Sequence, residues 1–314
     1  MRLEQLRFLC EVVDRGYNVS RAAEVLNTSQ PGVSKQIRLL ENELGFEILR
    51  RRKGRIAGLT EPGTALLPLA RKILRDADNI AGLRDELTHR GSGQLVIATT
   101  HLHACYVLPR IVERFRRQYP QVRVSLLQAD PSQIIELIST ARADIGITGE
   151  PPGGVRELIQ LPCYEMPRSL IAPRGHPLLR DQPLTLAKIA EHPLIAYNRR
   201  YPGGMALERA FARQRIEPDI VISAIDSEVI KAYVKIGVGV AILPSVAFVR
   251  KADAELGVVD VTNLFGGAGA QLILHPEAYL REYMYDFIRK VAPQWTRERI
   301  KAAFAERAEV EPEP

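Results

Sequence analysis

The chain has 314 residues, of which 46% are hydrophobic and 25% charged, an ordinary globular composition with room for one small and one large domain. Its net charge of +6 suits a polyanionic partner. The longest uncharged apolar runs, such as Val238 to Pro244, are far shorter than the ~20 residues a membrane span needs. Arg2-Leu3-Glu4-Gln5 opens the chain without an apolar export segment, so a cytoplasmic protein with no membrane partner is expected. Cys10, Cys105 and Cys163 lie far apart. They read as packed small hydrophobes, with neither a disulfide framework nor a structural zinc site indicated.

The charge is unevenly placed. Residues 1–60 carry eleven Lys or Arg against seven Asp or Glu, and Arg50-Arg51-Arg52-Lys53-Gly54-Arg55 puts five cations into six positions. In chain order, Leu3, Leu6, Phe8, Leu9, Val12 and Val13 predict a first helix that Gly16 stops. Asn18 caps a second, Val19 to Leu26, whose Ala22-Ala23 pair lets another helix approach closely. After the turn at Asn27-Thr28, Ser29 caps a third helix from about Gln30 to Leu44. Pro31 sits in its first turn, where a missing N–H is harmless, and Gly45 closes it. Val33, Ile37, Leu40 and Leu44 form its buried stripe, while Gln30, Ser34, Lys35 and Arg38 fall on the opposite face. A short turn between two helices, with hydrogen-bonding side chains early on the second, is the helix-turn-helix arrangement for reading the major groove. A three-helix core whose polar face merely meets water is the alternative.

Two short strands around Lys53-Gly54 predict a cationic hairpin, a wing for backbone phosphates. Thr60 then caps a helix of about 28 residues with Pro62 in its first turn. Leu66, Ala70, Ile73, Ala77, Ile80 and Leu87 follow a 4-3 spacing along it, which predicts dimerisation through a linker helix. Packing of that seam against its own domain is the alternative. Gly91-Ser92-Gly93 is expected to end the helix as a hinge.

The strings Leu6-Arg7-Phe8, Ser20-Arg21-Ala22-Ala23, Thr28-Ser29-Gln30-Pro31-Gly32-Val33-Ser34-Lys35-Gln36-Ile37, Leu40-Glu41, Leu44-Gly45 and Leu59-Thr60-Glu61-Pro62-Gly63 resemble the LysR-type transcriptional regulators. The resemblance runs through nearly the whole chain. Its implied DNA contacts are Ser29, Gln30, Pro31, Ser34, Lys35 and Arg38 on the recognition helix, with Arg50, Arg51, Arg52, Lys53 and Arg55 on the wing. The expected division is 1–60 winged helix-turn-helix, 61–90 linker helix and 91–314 effector domain. Within the last, lobe I covers about 91–162 and 268–292, and lobe II about 163–267.

From Gln94 the periodicity changes. Strands at Gln94 to Thr100, Val122 to Gln128 and Asp144 to Thr148 alternate with helices at Leu108 to Tyr119 and Ser132 to Ala141. A second set follows, with strands at Ser169 to Ala172, Pro193 to Tyr197, Asp219 to Ala224 and Gly239 to Leu243. Its helices are Met205 to Arg215 and Ser227 to Ile236, and a strand at 271–274 and a helix from Tyr279 to Val291 close the domain. The order predicts mostly parallel sheets in two α/β lobes, like a periplasmic-binding-protein module. Ligands in such folds sit beyond strand carboxyl ends, at helix N-termini. Those places hold Thr99, Thr100, Leu102, His103, Gln133, Thr148, Tyr197, Arg199, Tyr201 and Asp226.

Ile97-Ala98-Thr99-Thr100-His101, Leu161-Pro162-Cys163-Tyr164, Gly237-Val238-Gly239-Val240 and Tyr283-Met284-Tyr285-Asp286-Phe287-Ile288 are similar to the cysteine-biosynthesis-regulator branch of the family. That resemblance implies control of sulfur-assimilation genes and an effector among sulfate, acetylated serines and related sulfur metabolites. Three departures bear on the ligand. Thr100-His101-Leu102-His103 stands where the branch has Thr-His-Thr-Gln, while Gly149 and Pro202 stand where it has threonines. Losing these hydroxyls and gaining imidazole and guanidinium moves the expectation from sulfate toward a nucleotide sulfate or an organic sulfonate. The implied partners are promoter DNA, that small anion, RNA polymerase and a second copy of the chain, as dimer or tetramer.

No GxSxG, Walker A, HExxH or complete GxGxxG motif points to an enzyme, and no cofactor is expected. His101-x-His103 lacks further ligands for a metal. A structural hydrogen bond for His103 and a surface position for Arg199 and Arg200 remain open alternatives to ligand contact.

Overall fold

The apolar spacing of the first residues folds as α1 (Leu3–Asp14), followed by α2 (Val19–Val25) and α3 (Gln30–Leu44). The structure, a computed structural model, describes residues 1–52, 55–87, 92–149, 157–181 and 183–309. Lys53, Gly54, Gly91, Glu150 and the side chain of Leu87 therefore lie outside the described residues. The helix caps are those that the side chains dictate. The Arg21 amide donates to Asn18 Oδ1 at 3.1 Å, and the Gly32 amide donates to Ser29 Oγ at 3.2 Å. Gly45 ends α3 at φ 77°, a left-handed conformation that favours glycine. Leu6, Leu9, Val12, Ala22, Val33, Ile37 and Leu40 make the buried core of this first unit, Met1–Arg90.

The antiparallel hairpin of β1 (Leu49–Arg52) and β2 (Arg55–Leu59) is tied to α3 by a buried carboxylate. Glu41 Oε1 accepts the amides of Ile48 (2.9 Å) and Leu49 (3.1 Å), and its Oε2 takes Arg51 Nη2 at 2.8 Å. Burial opposes the Glu41 charge, yet the Arg51 guanidinium and the two amides hold its carboxyl below the usual range. The chain then turns into α4 (Glu61–Leu87) at Thr60, whose hydroxyl donates to the Glu47 carbonyl and accepts the Gly63 amide. A Cβ on Gly63 would stand 2.1 Å from the Ile48 carbonyl oxygen, so this crossing admits no side chain.

The heptad row of α4 divides. Leu66 and Ala70 pack with Leu67 and Leu74 onto the core of the first unit, where Arg71 also bonds Asp14 at 2.5 Å. Leu69, Ile73 and Ile80 stay exposed, Ile80 at 69%. The expected single seam is thus corrected to two faces. The apolar side of α1 covers the first turns of α4 and leaves only the outer row free.

The second unit, Gly91–Pro314, contains two five-stranded sheets. Lobe I is built from β3 (Gly93–Thr99), α5 (Leu108–Gln118), β4 (Val122–Gln128), α6 (Pro131–Ser139), β5 (Ile145–Gly149) and β6 (Ile159–Met166). The chain passes into lobe II through β7 (Arg168–Pro173), α7 (Leu186–Ala190), β8 (Leu194–Tyr197) and α8 (Pro202–Arg213). It continues with β9 (Ile220–Ala224), α9 (Ser227–Lys235), β10 (Val240–Pro244), β11 (Leu256–Asp260) and α10 (Thr262–Phe265). It returns to lobe I with β12 (Ala268–Leu274), α11 (Glu282–Val291) and α12 (Arg297–Glu309).

The strand orders are β4-β3-β5-β12-β6 and β11-β7-β10-β8-β9. The expectation of mostly parallel sheets is corrected, because each sheet is mixed: β12 runs antiparallel to both β5 and β6, and β7 to both β10 and β11. β6 and β11 were not anticipated from the sequence. Pro162 disguises β6, and the structure accommodates it on an edge strand, beside an irregularity in register opposite Ala270 and Gln271. Trp295 Nε1 and Gln294 Nε2 donate to the Pro162 carbonyl at 2.7 and 2.8 Å, closing that irregularity. Cys10 and Cys163 are buried as expected of packed thiols, and burial raises them to about 11 and about 12. Cys105 is exposed, correcting the same expectation for it.

Candidate functional site

The N-terminal half of α3 presents Ser29, Gln30, Pro31, Lys35 and Arg38 to solvent, with Ser34 half-buried between them. Gln30 donates from Nε2 to Ser20 Oγ on α2, which fixes its amide relative to the turn. Arg50, Arg52 and Arg55 extend from the hairpin as exposed cations. Arg51 differs: it points back to Glu41, so its charge is shared with the fold.

In the second unit a cavity of about 470 Å³ opens between the lobes. Its lobe I wall is Thr100 to His103, which follow β3. Its lobe II wall is the face of α8 that carries Gly203, Ala206, Arg209, Ala210 and Arg213. The crossover from Thr262 to Gly269 and the pair Met166 and Arg168 close it. Of the ten sequence-predicted residues, Thr100, Leu102, His103, Tyr197 and Tyr201 line it.

Thr99, Gln133, Thr148, Arg199 and Asp226 are not among its lining residues, and for four of them the reason is a local bond made elsewhere. Thr99 gives its hydroxyl to the Ile147 carbonyl at 3.0 Å. Gln133 completes the capping box of α6 with Asp130. Arg199 is exposed and pairs with Glu208. Asp226 caps α9 and faces His101 Nε2 at 3.2 Å. Thr148 is fully buried, with its Oγ1 lacking a partner among the described residues.

Gly149 and Pro202, two of the departures noted above, meet across the cleft. A Cβ on Gly149 would stand 2.9 Å from Pro202 Cγ. The pair fills with carbon the place where hydroxyls are lost. His103 is 1% exposed and its Nδ1 is 3.0 Å from the Tyr164 hydroxyl. Burial lowers its pKa to about 4, so the ring is neutral at ordinary pH. His103→Gln is expected to leave the pH profile of anion affinity unchanged between about pH 6 and about pH 8, since only a titrating imidazole changes charge there. Calorimetry across that range checks this; a pH dependence that vanished in the variant would return the charge to His103.

Sequence reasoning missed Arg168, Arg209, Arg213 and the Thr262–Gly269 crossover. The signals existed. A cation opens the otherwise apolar run Arg168-Ser169-Leu170-Ile171-Ala172, and Ala206, Arg209, Ala210 and Arg213 recur at helical spacing. Among the described residues no three His, Cys, Asp or Glu side chains cluster as a metal site requires, and no helix is long and apolar enough to cross a membrane.

Residues 3–64 match the bacterial regulatory helix-turn-helix protein, lysR family, and residues 88–296 match the LysR substrate binding domain. The transcriptional regulator CysB of Burkholderia cenocepacia is 38% identical, with 98% of this chain and 99% of the relative aligned. The regulator SsuR of the same organism is 39% identical over 93% of this chain and 95% of its own. The crystal structure of the cofactor-binding domain of the Cbl transcriptional regulator superposes with a TM-score of 0.66 at 36% identity, covering 68% of this chain and 94% of that one.

Proposed function

Because the chain belongs to the LysR family of transcriptional regulators, we propose that a small anion entering the interlobe cavity governs its action on sulfur-assimilation or organosulfur-utilisation promoters. The observation that carries the anion is Arg168. It lines the cavity at 4% exposure, and among the described residues its Nε has no hydrogen-bond partner and no carboxylate lines the cavity. An unpaired buried cation is costly and is maintained where a ligand completes it. The sulfur assignment rests on the likeness to CysB, SsuR and Cbl and on the branch residues named above.

In this reading the protein is a cytoplasmic, non-enzymatic homo-oligomer joined along the exposed Leu69, Ile73 and Ile80 row of α4, with RNA polymerase as a further partner. Ser29, Gln30, Pro31, Ser34 and Arg38 face base edges. Lys35, Arg50, Arg52, Lys53 and Arg55 hold phosphates, with Arg51 chiefly bracing the wing.

Mobility-shift titration of full-length protein on promoter and unrelated DNA tests the DNA contacts. Arg38→Ala is expected to cost about 1–3 kcal/mol on the promoter only. Arg52→Ala is expected to weaken both DNAs alike and to lower the salt slope by about one. Promoter preference that survives Arg38→Ala would overturn the recognition-helix assignment. An affinity for promoter DNA that no sulfate, sulfonate or acetylserine changes would overturn the effector reading.

A further inference from the structure

Arg168, Arg209 and Arg213 line one side of the cavity, and among the described residues no acidic side chain lines it with them. Arg168 opens β7 and is buried; Arg209 and Arg213 stand one turn apart on the exposed face of α8. Burial works against the Arg168 guanidinium, opposed in part by Tyr197, with the charge of Arg209 a smaller cause in the same direction as burial. Among the described residues the Arg168 backbone meets Thr262 at both its amide and its carbonyl, but its Nε has no partner. Glu165 is exposed, its carboxyl beside Gly267, and is not among the lining residues.

At the other end, Thr100 and the start of α8 at Pro202 and Gly203 border the same cavity. With a rise of 1.5 Å per residue, Gly203 and Arg209 are about 9 Å apart along the helix axis. Met166, Ala206, Leu264 and Phe265 add apolar surface to the cavity lining, with Ala206 between Gly203 and Arg209 on α8. A cavity of about 470 Å³ is many times the size of a tetrahedral oxyanion.

We propose that Arg168, Arg209 and Arg213 form a second anion subsite, so that the effector is an organic molecule with anionic groups at both ends of an apolar or flat body. This rests on the reading above that the cavity takes a small anion. One end is held at Thr100 and the α8 N-terminus, the other by the arginines, and the body lies on Met166, Ala206, Leu264 and Phe265. Binding of such a molecule gives Arg168 a counter-charge, where its Nε has no partner among the described residues.

Calorimetry and thermal shift on the full-length protein test this with inorganic sulfate, ethanesulfonate and linear alkane α,ω-disulfonates of increasing length. Disulfonates whose charges approach a separation of about 9 Å are expected to bind roughly tenfold or more tighter than ethanesulfonate or sulfate, the gain of one charge-assisted contact set. Arg168→Met is expected to erase that advantage and to leave the unliganded melting temperature unchanged or higher, since it removes an unpaired buried charge. Arg209→Gln with Arg213→Gln is expected to reduce the advantage in part. Equal binding of mono- and disulfonates by the wild type, an advantage that persists in Arg168→Met, or a lowered melting temperature in that variant would overturn the second subsite. If sulfate or ethanesulfonate binds and Thr100→Val abolishes it while disulfonates gain nothing, the cavity stands and only the second subsite falls. If none of these anions binds, both fall.

Discussion

Full-length protein carrying Glu41→Ala is expected to lose about 1–3 kcal/mol from the N-terminal unit, the cost of leaving buried backbone donors without their acceptor, since Arg51 itself reaches solvent. The Ile48 and Leu49 amides would lose their shared acceptor, and Arg51 its 2.8 Å carboxylate partner. These contacts hold the start of the wing against the end of α3, so DNA affinity should fall with stability although Glu41 itself faces the interior. Differential scanning calorimetry together with mobility shift checks this. Glu41 has a carboxyl held below its usual range, so its contribution is complete above about pH 4.3, its unfolded-state value. That contribution is lost as pH falls through the lower folded-state value, and the acid-dependent part should be missing in the variant. A variant that melts like the wild type and binds DNA equally would show that the wing is held by other means.

Lys231→Met should cost the effector unit about 3–5 kcal/mol, because Asp253 would remain buried with its closest cation removed. Lys231 is 2% exposed and Asp253 1% exposed. Lys231 Nζ donates to Asp253 Oδ2 and to the Ala247 carbonyl, both at 2.8 Å, and lies 3.0 Å from Glu228. The same ammonium sits over the Tyr106 ring at 5.3 Å, and the Tyr106 hydroxyl donates to Glu228, so the turn after β3 in lobe I is bound to α9 in lobe II. Burial works against the Asp253 charge, but Lys231, the Val249 amide and Lys235 hold its carboxyl low. This support is therefore present above about pH 3.9, the ordinary aspartate value, and fades as pH falls through the depressed one. Trp295 is the sole tryptophan and belongs to this unit, so urea unfolding followed by its fluorescence reports on it. The double variant Lys231→Met with Asp253→Leu should recover most of the loss, since an apolar pair of similar volume replaces the ions. Equal loss in single and double variants would mean that the packing of Lys231, not its charge, is what matters.

The sequence by itself determined the local elements of the first ninety residues and the alternation of strands and helices that follows. Caps such as Asn18 and Ser29, the closing Gly45 and the stripe Val33, Ile37 and Leu40 are short-range features, set by neighbours within four residues. The family strings around Gln30 to Ile37 were legible for the same reason, as was the placing of Thr100, Leu102, His103, Tyr197 and Tyr201 at the ends of strands that open on the cavity. Tertiary structure alone decided what depends on residues distant in the chain. It turned Leu66 and Ala70 inward because α1 lies over them, and it set Arg51 on Glu41. It took the hydroxyl of Thr99 into the sheet and buried His103, which lowers its pKa. It brought Arg168, Arg209 and Arg213 to one wall, although Arg168 opens a strand and the others lie on a helix some forty residues on. Periodicity records which face of an element is apolar, but only the crossing of β7, α8 and the Thr262–Gly269 return determines which charges face one another across a cavity, because that is fixed by packing between elements and not by spacing within them.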